Sequence, residues 1–320
     1  MQLVRCVVVG AVMTLASVAA HAQQYPAKPI RVIVAFAPGG GSDFVARLIG
    51  HKLGEALGQQ VIVDNRPGGG ASIGFDQGLR AAPDGYTLTQ ITPSYTINPS
   101  VRAVKYDALA DYTPIAMEGK GPLAVLAHPS LPARSARELI ALAKTRPGQI
   151  IFGSAGQGTI VHLATELFLF QAGVKMVHVP YKGGAPALVD LMSGEIQLVW
   201  SPPQTGMPYA RSGKLRAIGM TSARRTRADP DVPTIAESGL PGYEATNWHA
   251  LIGPKGLSRA IVDRLNGELR RVVTSPEMEK TLLANGIEPD VGTPEQLAEY
   301  IRKDLMQWRA VIARANIRVD

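Results

Sequence analysis

Ile30-Arg31-Val32-Ile33-Val34-Ala35-Phe36 runs directly into Ala37-Pro38-Gly39-Gly40-Gly41-Ser42-Asp43. Phe44, Ala46, Leu48, Ile49, Leu53 and Leu57 then follow at helical spacing, and Gly58 stops them. A short β-branched run reads as a buried strand. A glycine after the last periodic residue reads as a helix end. Strand, Gly-rich loop and helix together make the unit from which open α/β sheets are built.

The unit recurs along the chain. Val61–Asp64 reads as a second strand, Gly68-Gly69-Gly70 opens a helix around 71–82, and Tyr86–Ile91 reads as a third strand. Further strands are expected near 115–118 and 122–128. Ser135-Ala136-Arg137-Glu138 is a capping box for another helix. Ile150–Ser154 is a strand entering a second Gly-rich loop, with Thr159 placed to cap the next helix. Val177–Tyr181 precedes Gly183-Gly184-Ala185-Pro186, and Pro186 suits a first helical turn. Ile196–Trp200 and Leu215–Met220 read as buried strands. Ser258 and Thr293 start two closing helices. On the last, Leu297, Ile301, Leu305, Trp308 and Ile312 share one face. Two such series in 320 residues predict two α/β domains with mostly parallel sheets.

Composition narrows the function. Hydrophobic residues make up 46% and charged residues 18%, which excludes a disordered chain. Cys6 is the single cysteine, so no disulfide framework or multi-cysteine metal site exists. The six histidines show no paired ligand spacing, and no metal or cofactor is expected. Arg5, the small apolar run 7–20 and the A-x-A-like Ala20-His21-Ala22 form a secretory signal over 1–22. Cys6 precedes the apolar run, where it cannot become the first residue of a mature lipoprotein. Cleavage leaves 32 basic residues against 26 acidic, a net +6. These bases are scattered, apart from Arg224-Arg225-Thr226-Arg227, and an exported chain is not expected to meet nucleic acid.

Ligands of open α/β sheets sit beyond the carboxyl ends of the strands. The first loop, with candidates Ala37, Pro38, Gly39, Gly40 and Asp43, therefore offers backbone donors from every residue but Pro38, at a helix N-terminus suited to an anion. It has no P-loop lysine, and Phe44 breaks the dinucleotide pattern. A carboxylate is the remaining anion. The second loop offers Ser154, Ala155, Gly156, Gly158 and Thr159, with His162 one turn into its helix. Phe152 breaks the hydrolase elbow G-x-S-x-G. Thr92, Ser94, Tyr181, Trp200 and Ser201 follow or end other strands and complete the candidate set.

The ordered motifs resemble one family. They are Phe36–Asp43, Asp64–Gly70, Pro83–Leu88, Gly153–Thr159 with His162-Leu163, and Val179–Gly183. Gly194–Gln197, Ser212–Ala217, Asp231–Thr234 and Gly239–Glu244 follow in order. The chain resembles the Bug-type substrate-binding proteins of tripartite tricarboxylate transporters, the TctC family, over essentially its whole mature length. The resemblance implies a two-domain, type II-like clamshell that acts in the periplasm as a monomer. It would close on a small organic acid and deliver it to membrane permease components. Residues 37–43 and 154–159 would pinch the ligand carboxylate. The domains would be 23–124 plus 251–320, and 125–250. Many members carry an acid after the aromatic that matches Trp200, where this chain has Ser201 and then Pro202. With Asp43 as the one acid of the loops, a ligand without a free ammonium is expected. Two other readings are a periplasmic sensor presenting its closed form to a receptor, and an exported hydrolase using Ser154 and His162.

Overall fold

The computed structural model describes residues 25–317. The expected leader, residues 1–22, lies outside them. Two five-stranded sheets form, each flanked by helices.

The first sheet contains β1 (Ile30–Val34), β2 (Val61–Asn65), β3 (Thr87–Ile91), β4 (Tyr112–Pro122) and β10 (Thr246–Pro254). Its order is β2-β1-β3-β10-β4. The second contains β5 (Ala124–Ala127), β6 (Ile151–Ser154), β7 (Val177–Pro180), β8 (Leu198–Ser201) and β9 (Arg216–Met220). Its order is β7-β6-β8-β5-β9. The plans match. Three parallel strands come first, then one antiparallel strand that the chain lays down as it crosses from the other sheet, then an antiparallel edge. The expectation of mostly parallel sheets is thus corrected. Half of the pairings are antiparallel, because the crossing strands β5 and β10 enter each sheet from outside its βαβ series.

Helices follow the strands. They are α1 (Gly41–Leu57), α2 (Ser72–Leu79), α3 (Pro93–Val101), α4 (Ala136–Thr145), α5 (Ile160–Ala172), α6 (Gly184–Ser193), α7 (Pro203–Arg211), α8 (Arg259–Val273), α9 (Pro276–Ala284) and α10 (Pro294–Ala315). A 3-10 turn, Gly69–Ala71, precedes α2. Gly58 ends α1 at φ 68°, the left-handed conformation that favours glycine. Sequence periodicity missed α3 and α7, which carry internal Pro99 and Pro208 and little apolar stripe. It also missed β10, whose Asn247 and His249 interrupt the usual strand composition. The two strands expected near 115–118 and 122–128 are one long β4 followed by the short β5.

Caps differ in detail. At Ser135 the hydroxyl accepts from the Glu138 amide, but Glu138 reaches back to the Arg134 amide, one residue before the cap. At Thr293 the box is complete: Thr293 Oγ1 accepts from the Gln296 amide and Gln296 Oε1 accepts from the Thr293 amide.

That cap starts the helix that joins the two lobes. Leu297, Ile301 and Leu305 of α10 pack with Ile91, Met117 and Ala250 of the first sheet. One turn further, Trp308 and Ile312 pack with Phe152, Leu198 and Trp200 of the second. No helix among the described residues is long and apolar enough to cross a membrane. We expect Thr293→Ala to cost about 1 kcal/mol of stability. Urea denaturation should show a lower midpoint with an unchanged slope.

Candidate ligand-binding site

Six parallel strands end on the same side of the two sheets. Five of them lead into helices whose first residues line one cavity. β1 leads to Phe36, Gly40, Gly41 and Ser42, and β3 to Thr92 and Ser94. β6 leads to Ala155, Thr159, Ile160 and Val161, β7 to Gly184, and β8 to Pro202. Asn247 of β10 completes the wall. The cavity measures about 40 Å³.

The first amides of a helix have no acceptor within the helix, and the helix dipole adds positive potential there. In α1 the first intrahelical bond is made by Phe44, so the Gly41, Ser42 and Asp43 amides precede it. In α5 the first is made by Leu163. Ile160 N donates to Ser94 Oγ across the cleft, 3.2 Å, which leaves Val161 and His162 as its early amides. Among the described residues, no charged side chain lines the cavity. Such a site binds an anion through backbone dipoles and hydroxyls.

The lobes meet around it. Ala37 N donates to Lys182 O at 3.2 Å. Arg102 donates to Gly69 O in one lobe, 2.8 Å, and to Gln157 O in the other. A Cβ on Gly41 would stand 2.8 Å from Pro202, so only glycine lets α1 approach α7 this closely.

Of the residues expected from sequence, Gly40, Thr92, Ser94, Ala155 and Thr159 line the cavity. The others take supporting or separate places. Ala37, Gly39 and Gly156 lie in the same two loops, with Gly39 N donating to Asp43 and Gly156 N to Ser154 Oγ. Pro38 is exposed. Asp43 also accepts from Arg47 and Asn65. Burial alone raises its pKa, but Arg47, the Gly39 amide and Asn65 together hold it below the usual carboxylate range. It fixes the first loop and does not line the cavity.

In the second loop Thr159 does not cap with its side chain. Its hydroxyl donates to Gly156 O, 2.6 Å, and tightens the turn. His162 Nδ1 accepts from Gly158 N, 3.2 Å, so this ring braces the loop from behind. Ser154 pairs with His178, not His162: Oγ stands 2.7 Å from His178 Nε2. Burial first, and then the stacked His162 ring, push the His178 pKa down to about 3. Ser154 Oγ accepts from Gly156 N and donates to this neutral ring. That spacing resembles a nucleophile–base pair. Ser154 does not line the cavity, so the pair is placed to shape the loop.

Trp200 is fully buried, donates from Nε1 to Tyr243 OH and packs on Phe168, so it belongs to the core. Ser201 turns to Thr205, and Tyr181 donates to Asp190. Pro202 takes the wall position that the sequence assigned to them. Gly41 and Ser42 fall within the loop 37–43 expected to pinch the carboxylate, whereas Phe36, Ile160, Val161, Gly184, Pro202 and Asn247 were not picked out from sequence. Counting on from each cap into the first helical turn would have found Ile160, Val161 and Gly184.

Behind Asn247 lies a buried polar group. Gln90 Nε2 donates to Glu118 Oε2, 2.9 Å, and Asn247 Nδ2 lies 3.2 Å from His249 Nε2. Burial pushes Glu118 up to about 7, against the Gln90 bond, and pushes His249 down to about 4. The signs differ. His249 lowers stability as pH falls from about 6.5 towards 4. Glu118 contributes fully below about 4.5, and its contribution is lost as pH rises through 7. Glu118→Gln should therefore be near neutral at pH 4. At pH 8 it should stabilise by up to the order of 3 kcal/mol. Urea unfolding at both pH values measures the difference.

Residues 45–317 match the family described as "Tripartite tricarboxylate transporter family receptor". Protein BugT of Bordetella pertussis is 35% identical over 317 residues, covering 98% of this chain and 97% of BugT. The solved structure "R. palustris Rpa4515 with adipate" is 33% identical with a TM-score of 0.90, covering 92% of this chain and 99% of its own. MatC from Rhodopseudomonas palustris, with bound malate, is 28% identical with a TM-score of 0.85, covering 90% of this chain and all of its own. The fold is that of periplasmic binding proteins, and these relatives are solute receptors, not enzymes. The chain belongs to the tripartite tricarboxylate transporter receptor family, the TctC family.

Proposed function

We propose that the chain captures a small organic carboxylate between its lobes in the periplasm and hands it to the permease of a tripartite tricarboxylate-type transporter. The observation that carries this is the convergence of five helix N-termini on one cavity without a charged side chain. A single carboxylate matches that field, since its charge is met by dipoles that are already oriented. Gly40, Gly41, Ser42, Ser94 and Val161 are assigned as its contacts, while Thr159, whose amide and hydroxyl both donate to Gly156 O, shapes the loop between them. The lobes act as two domains. Residues 25–122 with the segment from Thr246 onward, where β10 joins the first sheet, form one, and the middle from Ala124, where β5 joins the second sheet, forms the other, which moves both expected crossings by a few residues.

Closure follows from the same geometry. A ligand that touches both lobes favours the closed form by its differential affinity. Scattering should show a smaller radius with ligand, and identical curves at saturation would count against it. Adipate and malate, named with two solved relatives, head a panel of mono- and dicarboxylates for thermal shift. A ligand at 100 times its Kd should add about 2.7 kcal/mol. A panel with no response would refute the carboxylate reading.

Gly41→Val tests the closure contact. The new side chain would press on Pro202 and Gln204. We expect affinity to fall about 100-fold, or roughly 3 kcal/mol, with circular dichroism unchanged. Calorimetry on a panel hit measures it.

A further inference from the structure

We infer that the ligand carries a hydroxyl beside its carboxylate, and that Asn247 is the residue that selects for it. The inference rests on the carboxylate reading above and narrows it.

Asn247 is 6% exposed and lines the cavity from β10. Its amide nitrogen is directed to His249 Nε2 at 3.2 Å. Asn247 Nδ2 can only donate, so this contact is a hydrogen bond with the His249 tautomer whose Nε2 is unprotonated, and burial keeps that buried ring neutral. Asn247 Oδ1 is left buried with no hydrogen-bond partner. An unpartnered buried acceptor is costly, and a ligand that donates to it removes the cost.

The rest of the polar lining, apart from Thr159, whose hydroxyl is already given to Gly156 O, is of the other kind. Thr92 Oγ1 accepts from Ser94 N, and Ser94 Oγ accepts from Ile160 N, so each hydroxyl has its proton to give. The early helix amides are donors too. Asn247 is the one side-chain amide among the lining residues described. A carboxylate therefore faces donors on most sides, while one wall asks for a donor from the ligand.

The choice of donor follows from charge. A second carboxylate would set acceptor against acceptor. A methyl group would leave Oδ1 unpaired. A buried ammonium would need an anionic partner, and no carboxylate lines the cavity. A hydroxyl satisfies Asn247 without adding charge. At about 40 Å³ the cavity favours a short acid; one buried water needs about 10–15 Å³ on the same scale.

Calorimetry on the whole mature chain tests this with three matched pairs: glycolate and acetate, lactate and propionate, 3-hydroxybutyrate and butyrate. In at least one pair the hydroxy acid should bind about 10- to 100-fold more tightly. Asn247→Leu should bring that ratio to within about threefold, chiefly by weakening the hydroxy acid. Equal affinities in all pairs would overturn the inference and leave the carboxylate reading standing. So would a preference that survives Asn247→Leu. If the folded wild-type chain binds no member of either series, the carboxylate reading fails and the inference falls with it.

Discussion

Everything at the cleft depends on the unpaired amides at the start of an α-helix. A strand that ends in a buried place must send its chain back, and here it does so five times as a helix whose N-terminus faces the same cavity. Oriented dipoles of one sign repel one another unless something negative sits between them. The two sheets thus direct positive potential into one cavity, the field that an anion matches. Their parallel strands fix the direction of the dipoles, and the crossings β5 and β10 carry the chain from one sheet to the other.

Because the field comes from backbone, side chains at the site have another task. They hold loops in shape. Asp43 ties Gly39, Arg47 and Asn65 together. His162 takes the Gly158 amide, and Ser154 links Gly156 to His178. Asp43, Ser154 and His162 thus sit behind the cavity wall, while Ser42 and Thr159 line it. The small residues in front, Gly40, Gly41, Ala155 and Gly184, are what allow close approach.

This division explains what was legible in the sequence. Strand-loop-helix units, helix stops such as Gly58 and the Thr293 box depend on local chemistry, and they were read correctly. The two pincer loops were visible because glycines after a strand have a local reason to be there. Trp200 and Ser201 could not be placed from sequence, because alternation along a strand says that two neighbours face opposite ways, not which face meets the cleft. Asn247 was invisible. It lies on β10, which joins the first sheet only after the chain has built the second, and no local pattern marks that return. Pro99 and Pro208 hid two helices for the opposite reason, since tertiary packing tolerates prolines that propensity forbids.

The helix α10 places a limit on how such a molecule moves. Leu305 is seated in the core of one lobe and Trp308, a single turn on, in the core of the other. A rigid rod anchored on both sides of a joint behaves as a strut. Rotation that widens the cleft must slide one end of the strut in its socket, and an interdigitated core resists sliding over more than small distances. Any swing of the lobes would therefore be bounded on the side away from the cavity.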